Sequence, residues 1–171
     1  MADHLNVIER ALIDNLRTGT YKTSSGSAAA WTASEVTVFG QFPMPEDVRY
    51  PSIIVQMVAN GMEEQMMGQN ITFGSEDKHG EIYGVGFNIY VTVDTDSVIT
   101  VDGVGYKERR LLNYLMLNVA NVLMDCDLEG SPSTTEVIQR HHSGFMDIGY
   151  NPVTETWSSM ISMFITFKND R

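Results

Sequence analysis

The chain has 171 residues, 43% of them apolar and 19% charged, with 22 acidic against 11 basic side chains and a formal charge of −11. This balance argues against a specific grip on a phosphate backbone, which needs clustered Lys and Arg. No apolar run approaches the ~20 residues that span a bilayer, the single Cys126 cannot close an internal disulfide, and charges interrupt the opening MADHLNVIERALIDNLRT where a secretory signal would be apolar.

Residues 3–17 place Leu5, Ile8, Leu12, Ile13 and Leu16 at helical spacing. Asp3 is a candidate cap, and Arg17 is well placed for the negative end of the dipole. Residues 18–34, TGTYKTSSGSAAAWTAS, are small, polar and almost uncharged, which predicts a loop. Its one large anchor, Trp31, either packs back on the domain or serves a contact with another chain. Residues 35–39 predict a short strand. After the prolines of FPMPED, residues 52–58 (SIIVQMV) predict a central strand buried on both sides. Residues 59–80 read as a second long loop. Its Met62, Met66 and Met67 suit an adaptable contact surface.

Residues 81–93 alternate Tyr83, Val85, Phe87, Ile89, Val91 and Val93 with small or polar residues and predict a strand. Asp102-Gly103 predicts a small hairpin turn following Val98 to Val101. Residues 107–124, KERRLLNYLMLNVANVLM, predict the main helix. Leu111, Leu112, Leu115, Met116, Val119, Val122 and Leu123 form its apolar arc, and Lys107, Arg110, Asn113, Tyr114, Leu117, Asn118 and Asn121 form the opposite face. In so acidic a chain that outward face holds no acid, and Leu117 stands among polar neighbours. It is a candidate subunit contact. Beyond the loop DCDLEGSPSTTE and a short apolar piece, Val137-Ile138, residues 144–150 and 156–167 predict a hairpin over an Asn151-Pro152 turn. Trp157, Ile161, Met163, Ile165 and Phe167 share one face of its second strand.

The predicted fold class is α/β in the broad sense, more narrowly α+β. A mostly antiparallel sheet carries two main helices, in the order α-β-β-β-α-β-β, within a single domain over 1–171 with long loops at 18–34 and 59–80. No catalytic, cofactor or metal site is predicted. Asp94-Thr95-Asp96 lacks the glycine and glutamate of a calcium loop, and Asp125-Cys126-Asp127 lacks a second ligand pair for zinc. The adjacent His141 and His142 diverge on any regular element. Gly84 and Gly86 lie within a strand, where they permit twist or close backbone approach.

The element order, with RYPSIIVQ, GEIYGVGFNIYVTV and KERRLLNYLM at its centre, resembles the tail terminator or tail-completion proteins of tailed bacteriophages. The resemblance spans nearly the whole chain and is carried by patterns of apolarity. It implies a structural virion protein of the tail and neck, made in the host cytoplasm. Such a protein forms a ring, usually a homohexamer, that caps the tail tube and joins it to the neck or head-tail connector. The implied partners are further copies, the tail tube protein and the neck protein, with no enzyme activity, no cofactor and no membrane. Genomic DNA passes through the ring without specific binding. On that expectation Trp31, Met62, Met66, Met67, Lys107, Arg110, Tyr114 and Leu117 are candidate subunit-interface residues, and Glu63, Glu64, Glu76 and Asp77 are candidates for an acidic lumen. Other neck or tail-tube components are the near alternatives. A small metal-dependent hydrolase using Asp94, Asp96 and the histidines is the alternative from another class.

Overall fold

The computed structural model describes residues 2–22, 28–31, 35–58, 70–73, 76–128 and 135–170. In chain order its elements are α1 (Ala2–Arg17), β1 (Thr20–Lys22), β2 (Ala28–Ala30), β3 (Thr37–Phe39), a short 3-10 turn, β4 (Ser52–Val58), β5 (Asn70–Phe73), β6 (Glu76–Asp94), β7 (Val98–Val101), β8 (Val104–Lys107), α2 (Glu108–Asp125), β9 (Thr135–His142), β10 (Met146–Asn151) and β11 (Thr156–Asp170). The architecture is α+β, with two helices and a mostly antiparallel sheet.

The sheet is built around β6 and β11, which pair antiparallel from Asp94 opposite Thr156 to Gly80 opposite Asp170. Both strands alternate large apolar with mostly small or polar residues, so one register places the two main apolar sets on the same face, while Tyr90, Met160 and Phe164 fall on the other. Tyr83, Val85, Phe87, Ile89, Val91 and Val93 of β6 are buried together with Ile161, Met163, Ile165 and Phe167 of β11. Strand β4 pairs antiparallel with the far side of β6, and β3 pairs parallel with β4. β10 and β9 follow one another along the other edge of β11.

The helices cover the apolar face. Leu111, Leu112, Leu115, Met116, Val119 and Leu123 of α2 are buried, as are Ile8, Leu12 and Leu16 of α1, and they form one continuous core with the sheet. At ~1.5–3 kcal/mol for each large apolar side chain removed from water, α2 alone contributes on the order of 10 kcal/mol before chain ordering is counted against it. Val122, placed on the apolar arc, is only partly buried.

At the Asp102-Gly103 turn both residues have positive φ, 51° and 76°. That backbone matches the twist of a two-residue hairpin and explains why Asp-Gly stands there. In β4, two-sided burial holds only as far as Val55, since Gln56 is exposed.

Three expected boundaries move. Residues 18–34 are not a loop throughout, because Thr20–Lys22 pairs antiparallel with Ala28–Ala30. Residues 59–80 are not a loop throughout, because Asn70–Phe73 pairs with the start of β6, Asn70 opposite His79 and Phe73 opposite Glu76. The pairing of β6 with β11 ends at Gly80, so this hairpin continues past that pairing as a two-stranded arm. The short piece at Val137-Ile138 is part of the eight-residue strand β9, whose polar composition hid it.

Candidate subunit-contact surfaces

Helix α2 begins at the end of the β7–β8 hairpin, where Lys107 is its extended N-cap without a side-chain cap bond. At the other end, the Cys126 N–H donates to the Val122 carbonyl at 2.8 Å. Arg140 on β9 brings one guanidinium nitrogen within 3.2 Å of the Met124 carbonyl oxygen and 2.6 Å of the Cys126 carbonyl oxygen. A cation at this point satisfies the last carbonyls and opposes the negative end of the helix dipole. The C-terminal end of α2 is therefore tied to the sheet through β9, while its N-terminal end continues from the separate β7–β8 hairpin.

The outward face of α2 carries Lys107, Arg110, Asn113 and Leu117, all exposed. Leu117 is 56% exposed and Met124, seven residues on, is 52% exposed. At 100° per residue, Arg110, Leu117 and Met124 form one stripe along the helix. Tyr114 is half-buried beside that stripe and stacks on Tyr106 of β8, with ring centroids 4.3 Å apart. The Arg110 guanidinium lies 4.8 Å from the Tyr106 ring centroid, a cation–π arrangement. Burial raises the Tyr114 phenol pKa, the neighbouring Tyr106 adds to the rise, and Asn118 partly offsets it. Arg109 points the other way, donating to Asp147 of β10 at 2.8 Å and lying 5.7 Å from the Trp157 ring centroid.

Of the expected outward residues, Asn118 is misplaced. It is buried, and its Nδ2 donates to the Tyr114 carbonyl at 2.7 Å. Of the two readings of Trp31, packing back on the domain holds, since it is only 3% exposed within this chain, and it drops out of the candidate subunit-interface residues. Its Nε1–H donates to the Leu16 carbonyl at 2.9 Å, and its backbone N–H donates to Gly19 at 3.0 Å. A Cβ built on Gly19 would stand 1.8 Å from the indole. The indole thus fills the space that Gly19 leaves at the end of α1. Met62, Met66, Met67, Glu63 and Glu64 lie outside the described residues. Glu76 and Asp77 sit at the start of β6 in the hairpin arm, opposite Phe73 and Thr72.

A second surface escaped the sequence reading. The sheet face away from the helices is organised in rows that run across the strands. One row is Ile54, Tyr90, Met160 and Met146, on β4, β6, β11 and β10. Phe42 tilts onto Tyr90 with a centroid separation of 5.3 Å. Phe42 and Met146 are 56% and 58% exposed. Next to it runs a polar row in which the Ser162 hydroxyl donates to the Asn88 side-chain oxygen at 2.8 Å. Beyond that lie Val58, Gly86, Phe164 and His141. A depression of about 270 Å³ opens over these last two rows. A Cβ on Gly86 would meet Val58 at 3.8 Å and Phe164 at 4.0 Å, ordinary contacts, so no close backbone approach requires this glycine. Its effect is the depression.

No group of three His, Cys, Asp or Glu that could hold a metal ion occurs among the described residues. Asp94 accepts hydrogen bonds from the backbone N–H and the hydroxyl of Ser97, which gives it a turn-closing role. His141 and His142 sit opposite Phe164 and Met163. No described helix is long and apolar enough to cross a membrane. In comparisons with known proteins, no family model and no curated protein matches the chain.

Proposed function

We propose that the protein is a structural component of a tailed-bacteriophage particle, a tail terminator or tail-completion subunit. It forms a ring, hexameric in the family it resembles, on the end of the tail tube and joins the tube to the neck. Its role is architectural and not catalytic, and DNA passes through the ring without being held. The observation that carries this proposal is the acid-free stripe of α2. In a chain of charge −11, a helix face with exposed Lys107 and Arg110 and two large apolar side chains more than half exposed has the character of a protein contact. Charged groups are kept from the centre of such contacts, and apolar side chains there gain by leaving water. The fold class agrees with the resemblance, and the carboxylates of the hairpin arm supply the acid proposed for the lumen.

Sedimentation velocity across a range of protein concentrations, with negative-stain electron microscopy of the heaviest species, tests the proposal. Rings with a central hole are expected. A chain that stays monomeric at every concentration would refute it.

A further inference from the structure

We propose that adjacent copies associate helix onto sheet: the α2 stripe of one copy, carrying Leu117 and Met124, packs on the open sheet face of the next, over Phe42, Tyr90, Met160 and Phe164. This inference rests on the ring proposed above and specifies its contact. A closed ring requires a heterologous contact, in which each subunit presents two different surfaces that fit one another. The molecule has two such surfaces on opposite sides. The helices cover one face of the sheet and leave the other open, so the outer side of α2 and the open sheet face point in opposite directions.

Three properties fit these surfaces to one another and identify the occupant as a second copy. The first is charge. Copies at −11 repel, and that repulsion is least where carboxylates are missing from both sides of the contact. The α2 stripe has none from Arg110 to Met124, and the strands of the open face have none between the row of Ser52 and the row of Val58, the carboxylate beside Phe42 being that of Asp47 in the loop before β4. The second is shape. The row through Ile54, Tyr90 and Met160 and the row through Val58 and Phe164 are the two apolar rows of the open face, and the 270 Å³ depression opens over the second of them and over the polar row of Gln56, Asn88 and Ser162 that lies between. Leu117 and Met124 stand about 10.5 Å apart along the helix at ~1.5 Å per residue. The two apolar rows are about 13 Å apart at ~3.3 Å per strand residue. The spacing of the two protruding side chains on α2 is thus about 2.5 Å shorter than the distance between the rows, so one can sit on the first row while the other enters the depression. The third is continuity. Inside each copy α2 already packs on a sheet face through large aliphatic residues, and the proposed contact repeats that layering from one copy to the next.

Two variants, each with one side of the contact broken, test the pairing. Leu117→Glu/Met124→Glu damages only the helix side, and Phe42→Glu/Met146→Glu damages only the sheet side. All four residues are at least half exposed, so each variant should melt like the parent by circular dichroism. If one does not, asparagine at Leu117 and at Met146 replaces the glutamates. Each variant alone should sediment as a monomer at ten times the concentration at which the parent assembles. An equimolar mixture should give a dimer containing one of each, because each supplies the surface the other lacks. A variant that still pairs with itself would show a symmetric contact through the undamaged face and overturn the inference. A mixture that stays monomeric while the parent forms rings would also overturn it and leave the ring standing. A parent that never assembles refutes the ring itself.

Discussion

The seating of Trp31 on Gly19 is open to a double-mutant cycle. In Gly19→Ala the new Cβ would lie 1.8, 2.3 and 2.4 Å from three indole carbons, against the ~3.5–4.0 Å of a normal carbon contact. The indole must shift by well over 1 Å. Overpacking of a filled site costs ~1–3 kcal/mol, and such a shift also breaks the 2.9 Å bond from Nε1 to the Leu16 carbonyl, worth ~1 kcal/mol. A loss of about 3 kcal/mol is expected. Trp31→Phe removes the same hydrogen bond and part of the packing, for about 2 kcal/mol. The double variant should lose about 3 kcal/mol instead of the additive 5, because the smaller ring leaves room for the methyl group. That is a coupling near 2 kcal/mol. Urea denaturation followed by far-ultraviolet circular dichroism, at concentrations below assembly, measures all four corners of the cycle. Additivity within ~0.5 kcal/mol would refute the contact. If neither single variant changed monomer stability, the indole would have to lie outside the core, as the sequence allowed.

Two further outcomes follow from the C-terminal end of α2. Arg140→Met keeps an apolar stem and removes the charge from the last carbonyls, so thermal unfolding should show a loss of about 1.5–2 kcal/mol, a fall in Tm of roughly 3–8 °C; an unchanged Tm would count against the capping role. Burial raises the Cys126 thiol pKa, with Arg140 partly offsetting the rise. The resulting stability is fully present below the ordinary thiol pKa of ~8.5 and is lost as pH rises through the higher folded value. Iodoacetamide should therefore modify the native thiol far more slowly than the urea-unfolded thiol at pH 8.5, and equal rates would contradict its burial.

The parts of the fold legible in the sequence are those governed by local periodicity. The alternation from Tyr83 to Val93 and the helical spacing from Leu111 to Leu123 each select one face without reference to the rest of the chain. Asp102-Gly103 selected a turn for an equally local reason. What could not be read depends on partners distant in sequence or on tertiary layering. Trp31 lies in a stretch of small residues, and the signal for its burial was Gly19, which on local grounds merely ends a helix. Asn118 stands seven residues after the buried Leu111, so helix angle alone puts it on the border of the apolar arc, and only its polarity had set it on the outward face; its side chain is buried and bonded to the helix backbone. Strand β9, with Thr135, Glu136, Gln139, Arg140 and two histidines, is too polar to announce itself and forms because β11 offers it an edge. The stripe on α2 could be found from composition alone. The open sheet face could not, because alternation defines two faces and does not say which one the helices leave bare.

The edge formed by β9 and β10 has a consequence for how such a chain stays in solution. A long straight strand with unpaired backbone groups is a template for open-ended stacking of further strands. Here the edge is broken where β9 gives way to β10. The Ser143 N–H donates to the Ser162 carbonyl at 2.8 Å, and the Ser143 hydroxyl accepts from the Ser162 N–H at 3.1 Å. The pairing shifts again between Asp147 and Gly149, where Gly149 has a φ of 95°, and once more where β9 passes Thr166 and Phe167. No incoming strand finds a run of evenly spaced donors and acceptors along that side. Polymerisation through the backbone, which has no natural end point, is thereby disfavoured. Association of the kind proposed above is left to side-chain surfaces, whose shape, unlike a free backbone edge, can limit the number of copies that join.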